Sequence, residues 1–126
     1  VNSVWFWGNG PRPDVPTIEA QVYADDAIGR ALATASGSTV CALDDSPPGL
    51  IGEQSETVIV DERLLRPSLY AESELWRAAR DTLETRWIIP ALAALRGRNI
   101  DELRIVGGNG EAWSLRRSHL WRYWRR

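Results

Sequence analysis

Three short runs rich in apolar and β-branched residues, Ile18–Ala24, Thr39–Leu43 and Thr57–Asp61, read as strands, and acids stand at the end of each: Asp25-Asp26, Asp44-Asp45 and Asp61-Glu62. Between the first two lies a helical pattern. Asp25-Asp26 offers an N-cap, because a carboxylate there satisfies free backbone N–H groups. Ile28, Ala31, Leu32 and Ala35 follow at helical spacing, and Gly37 suits the left-handed position past a helix end, so a helix is expected over 26–36. A strand–helix–strand alternation of this kind predicts an α/β protein.

The remaining segments extend that pattern. Ser3–Trp7 is an apolar run stopped by Gly8-Asn9-Gly10-Pro11 and reads as a further strand. Downstream, Leu69, Trp76, Leu83 and Trp87 recur at helical spacing and predict one apolar stripe on a long helix that starts near Ser68. Arg77 with Asp81, and Arg80 with Glu84, are candidate surface pairs on that helix, each contributing ~0.2–0.5 kcal/mol. Pro90 cannot donate to the helical ladder, so a kink or break is expected there, with Ala91–Leu95 continuing to Gly97. Leu103–Val106, Gly107-Gly108-Asn109-Gly110 and Ala112–Leu115 form a hairpin signal, since Asn and Gly both accept positive φ. The expectation is one α/β domain over 1–126: a single mixed sheet, two or three helices packed on it, and a C-terminal β-hairpin.

Charge is unevenly distributed. Residues 1–115 hold 10 Arg against 17 acids, while residues 116–126 hold five Arg and no acid. All basic residues are Arg. Two readings of the tail Arg116–Arg126 stay open: it docks back on the acidic body, or its interleaved Arg and aromatic residues bind an anionic partner such as nucleic acid. The net charge of −2 weighs against nucleic acid. The longest near-apolar run, Trp87–Leu95, is nine residues and contains Pro90, too short for a membrane span of ~20 residues. Cys41 is the single cysteine, so no internal disulfide is possible, and it sits in an apolar run as a buried structural thiol would. With no signal peptide in view, a cytoplasmic protein is expected.

The chemistry the residues support is limited. A catalytic metal cluster needs several convergent ligands, and His119 is the single histidine. Its place beside Arg117 suits a surface or capping role better than that of a catalytic base. Gly8-Asn9-Gly10 and Gly107–Gly110 lack a Walker lysine and do not open helices, so they read as turns rather than phosphate loops. Ligands bind beyond the carboxyl ends of strands in open α/β sheets, which makes Asp25, Asp26, Asp44, Asp45 and Asp61 candidate ligand or metal residues if the strands run parallel. The plainer reading is favoured: a helix cap, a loop opening and a strand end. Arg116, Arg117, Arg122, Arg125 and Arg126 are the candidate anion or partner surface. No catalytic residue, resident metal or cofactor is assigned.

Two strings carry a family resemblance. Val1-Asn2-Ser3-Val4-Trp5-Phe6-Trp7-Gly8-Asn9-Gly10 closely resembles a motif of the bacterial RpfE-type regulatory proteins, and Leu120-Trp121-Arg122-Tyr123-Trp124-Arg125-Arg126 is similar to that family's closing signature. Asn9 departs from the family's usual glycine. The resemblance implies that the chain is the C-terminal part of a longer protein, as do its lack of Met and its start close to a strand. The family also carries a phosphoglycerate-mutase-like label. Neither mutase chemistry fits a chain whose one histidine lies between Ser118 and Leu120. The expected function is therefore a regulatory or interaction domain without its own catalytic centre. The expected partners are the upstream part of the protein and a second copy of the chain. A phospho-ligand or metal-binding enzyme using the strand-end carboxylates, with Arg12 or a tail Arg, is the alternative, and nucleic-acid binding is the third reading.

Overall fold

The computed structural model describes residues 14–44 and 56–120. The expected strand at Ser3–Trp7, both motifs that carry the family resemblance apart from Leu120, and the tail beyond Leu120 lie outside the described residues.

Strands β1 (Gln21–Ala24), β2 (Thr39–Cys41) and β3 (Thr57–Val60) form a parallel sheet in the order β2-β1-β3. Helix α1 (Ala27–Ala35) connects β1 to β2. Next come α2 (Leu65–Leu69), α3 (Ser73–Leu83), a π-helical turn (Glu84–Ile88) and α4 (Ile89–Gly97). The hairpin β4 (Glu102–Val106) and β5 (Ala112–Arg116) is an antiparallel sheet of its own, followed by the helical turn α5 (Arg117–Leu120). The α/β class and the hairpin agree with the sequence pattern. Among the described residues no helix is long and apolar enough to cross a membrane.

Strand β1 organises the core because it is covered on both faces. Side chains alternate along a strand, so its even and odd residues face opposite ways. Val22 pairs in register with Val40 and Val58, and this row joins Ala20, Ala24 and Ala33 of α1 in one cluster. Tyr23 pairs with Cys41 and Ile59, and that row meets Leu43, Leu83 and Trp87 on the other face. The Tyr23 and Trp87 rings lie 5.0 Å apart, tilted by 59°, within the favourable range for aromatic pairs. The run Ala20–Ala24 is continuously apolar but for Gln21, as expected of a strand buried on both sides.

Both ends of α1 follow sequence logic. Asp26 Oδ1 accepts a hydrogen bond from the Gly29 N–H at the N-cap, and Gly37 takes φ +79° just past the C-cap residue Ser36. The buried face differs from the expected one. Ala33 is the buried residue of α1, whereas Ile28 is 73% exposed and Leu32 56% exposed. Helix α1 thus meets the sheet through the small residue Ala33, with the larger apolar side chains turned outward.

The long helix is broken rather than continuous. It begins at Leu65, three residues earlier than expected, with Pro67 in its first turn, where a missing N–H costs nothing. Ala71 then adopts φ 55° and interrupts it before Ser73. The interruption shifts the helical phase, so the expected stripe is not uniformly buried. Leu69 is 72% exposed, Trp76 and Leu83 are half-buried, and Trp87 is 2% exposed. The ion pair on α3 joins Arg80 to its neighbour Asp81 at 2.6 Å, and the Arg80 guanidinium lies over the Trp76 ring.

Pro90 acts through the turn before it. An α-helical Pro90 would drive its ring against the carbonyl of Arg86. Instead, the Ile89 N–H bonds to the Glu84 carbonyl, five residues back, and the helix widens over Glu84–Ile88. Beyond it, α4 buries Ala91, Ala94 and Leu95 and packs against β4.

The hairpin loop is longer than a two-residue turn. The Gly107 N–H bonds to the Glu111 carbonyl, and Gly110 alone in the loop takes a positive φ, +83°. Asn109 contributes its side chain, whose Oδ1 accepts the Glu111 N–H at 3.1 Å.

The stripe's uneven burial gives a direct test. Trp87→Ala is expected to cost ~3–5 kcal/mol in urea unfolding, while Leu69→Ala stays within about 0.5 kcal/mol. Equal losses at the two positions would restore the continuous stripe.

Candidate functional site: the carboxyl edge of the parallel sheet

Parallel pairing puts the carboxyl ends of β1, β2 and β3 on one edge, and Asp25, Asp44 and Asp61 follow those ends. The structure therefore brings one acid from each expected pair together. Asp26 is not among them, because its side chain turns to cap α1. Its Oδ2 is buried without a hydrogen-bond partner and lies so close to Gly29 that a Cβ there would clash. Asp45 lies outside the described residues.

Each of the three carboxylates has a partner. Asp25 Oδ1 accepts the backbone N–H of Leu43 at 2.9 Å and ties the end of β1 to the end of β2. Asp61, whose side chain is 6% exposed, accepts the backbone N–H of Arg63 at 3.0 Å and is gripped by the same residue's Nε and Nη2. Asp44 is 72% exposed and meets two guanidiniums, Arg86 Nη1 at 2.6 Å and Arg63 Nη1 at 3.5 Å. Arg86 Nη1 also donates to the Asp44 main-chain carbonyl at 3.0 Å.

Arg63 and Arg86 were not apparent from sequence. Arg63 stands two residues after a strand-end acid, a spacing that lets one side chain fold back on the other. That signal is available in principle. Arg86 has no comparable local signal, because its position rests on the π turn and on Trp87 being buried beside it.

The electrostatics follow from these contacts. Burial raises the Asp61 pKa, but hydrogen bonds from the Arg63 side chain and backbone, with its charge, outweigh burial and hold the carboxyl below its usual value. The Arg63 guanidinium is pushed up, first by its hydrogen bond to Asp61, and the charges of Asp44 and Asp25 add to the effect. Among the described residues, no group of three or more His, Cys, Asp and Glu is placed to hold a metal ion.

The candidate basic surface is only partly described. Arg116 crosses the hairpin to Glu102, with Nη2 2.8 Å from Oε2, and so pairs within its own sheet. Hydrogen bonds from Ser114 and then Arg116 lower the Glu102 pKa. Arg117 begins α5, and Arg122, Arg125 and Arg126 lie outside the described residues. His119 Nδ1 accepts the backbone N–H of Arg116 at 3.4 Å, in line with a capping role. Cys41 is half-buried rather than buried, and its Sγ accepts from Gln21 Nε2 at 3.4 Å.

No protein-family model matches the chain, and no curated protein or solved structure matches it.

The lowered Asp61 pKa fixes the sign of a pH effect. Its contribution to stability is present above the unfolded value of 3.8 and is lost as pH falls through the lower folded value. Asp61→Asn is expected to cost about 2 kcal/mol at neutral pH in urea unfolding. The gap to wild type should narrow below the unfolded pKa. A gap that widened in acid would reverse the assignment.

Proposed function

We propose that this chain is a non-catalytic interaction domain of regulatory type. One observation carries the reading: large apolar side chains stand exposed on several separate elements. They include Ile28 and Leu32 on α1, Leu65 and Leu69 on α2 with Tyr70 just beyond it, Leu75 on α3, Ile89 on α4, and Ile105, Val106 and Trp113 on the hairpin. Scattered single apolar residues are ordinary on protein surfaces, but neighbouring ones are a recognised mark of protein contact. Ile28 and Leu32 are one helical turn apart, and Ile105 is paired directly with Trp113 across the hairpin.

The strand-end carboxylates favour the same reading. Asp25 and Asp61 hold the fold together, which leaves them poorly suited to acid–base chemistry. The resemblance to RpfE-type regulatory proteins points in the same direction. The mutase-like label gains no support from His119, which accepts a backbone N–H at the end of β5. Work in the cytoplasm fits a chain with one cysteine and therefore no internal disulfide.

A second copy of the chain is the first partner to test. Light scattering coupled to size exclusion is expected to show mass rising with protein concentration. Leu32→Glu or Trp113→Glu, both at exposed positions, should lower that mass without lowering the unfolding midpoint. A chain that stays monomeric at the highest soluble concentration would refute the reading.

A further inference from the structure

Two guanidinium groups from distant parts of the chain share one exposed carboxylate. Arg63 has a second anchor, whereas the guanidinium of Arg86 is held by Asp44 itself, through its carboxylate and its main-chain carbonyl. Arg63 is clamped by the almost fully buried Asp61 through Nε and Nη2, which leaves Nη1 directed at Asp44. Arg86 projects from the π turn, and the adjacent Trp87, buried against Tyr23 and Leu43, fixes the register of that turn. The Asp44 side chain is mostly in solvent, and among the described residues its hydrogen bonds go to these two arginines. An exposed ion pair of this kind is worth little, because water competes with it at small cost.

We propose that Arg63 and Arg86 form a binding site for a singly charged carboxylate, which Asp44 fills in the free protein and yields when a ligand arrives. The site sits at the carboxyl edge of a parallel sheet, where ligands of open α/β sheets bind. Planar guanidinium groups match a planar carboxylate. Charge selects a monoanion. Asp25 and Asp61 already set two negative charges beside Arg63, and Asp44 adds a third. Exchanging the Asp44 carboxylate for one ligand carboxylate leaves that balance unchanged, whereas a phosphate dianion adds a negative charge next to Asp25 and Asp61. The site is independent of the exposed apolar surfaces and stands or falls separately from them.

The test follows arginine side-chain N–H signals by NMR in the isotope-labelled full chain. Sodium acetate and inorganic phosphate are titrated separately at constant ionic strength. If Asp44 occupies the pair about nine-tenths of the time, Asp44→Asn should tighten acetate binding about tenfold relative to wild type. Arg86→Gln should abolish the saturable response in either background. Asp44→Ala serves as a second release variant, with retained signal dispersion reporting the fold. A neutral peptide with a free C-terminus is compared with its amidated form. Tighter binding of the free form than of acetate assigns the carboxylate to a polypeptide end, and weaker binding assigns it to a small molecule. The proposal is overturned if folded Asp44→Asn shows no saturable acetate response, if Arg86→Gln leaves that response intact, or if phosphate saturates the site below the acetate concentration.

Discussion

The parallel pairing of β1 with strands on both sides sets the rest of the structure. One strand carries the interior twice over, with Val22 and Ala24 toward α1 and Tyr23 toward Trp87. Because β2 and β3 run the same way as β1, their carboxyl ends must share an edge. The acids that follow the strands meet there without any further device. Their like charges repel unless compensated, and Arg63, Arg86 and the Leu43 N–H supply the compensation. The architecture therefore creates the cluster and also the need to neutralise it.

What could be read from sequence divides along the range of the interactions concerned. Strand positions, the Asp26 cap, Gly37 beyond α1 and the hairpin were legible, because each rests on residues within one or two turns of one another. The meeting of Asp25, Asp44 and Asp61 was legible only conditionally, since it required the strands to be parallel. The face α1 buries was not legible. Period alone favours Ile28 and Leu32, but a helix can also dock through a small residue such as Ala33, and only the sheet beneath decides. The break at Ala71 was hidden as well, because an alanine at φ 55° runs against its own helical preference.

Pro90 shows how a local signal can be read correctly in kind while the form it takes depends on distant residues. The ring forbids a regular ladder, so a kink or break is the natural expectation. Widening the preceding turn is the third solution, and the chain stays helical through it into α4. No short-range rule chooses among the three. The choice rests on whether Trp87 can reach the space between Tyr23 and Leu43, a contact made across more than forty residues of chain.

That widened turn links the core to the sheet edge. Glu84–Ile88 must satisfy two demands with adjacent residues: Trp87 goes into the interior, and Arg86 goes to Asp44. In a regular helix, neighbours point about 100° apart, and both still lie on the side facing the sheet if the turn is correctly phased. The π turn supplies that phase, and burial of the large indole holds it. Packing of Trp87 thus sets the backbone at Arg86, and the contacts with Asp44 hold its guanidinium. Asp44 is brought to the same edge in the same way, by its neighbour Leu43, which is buried in the same cluster as Trp87.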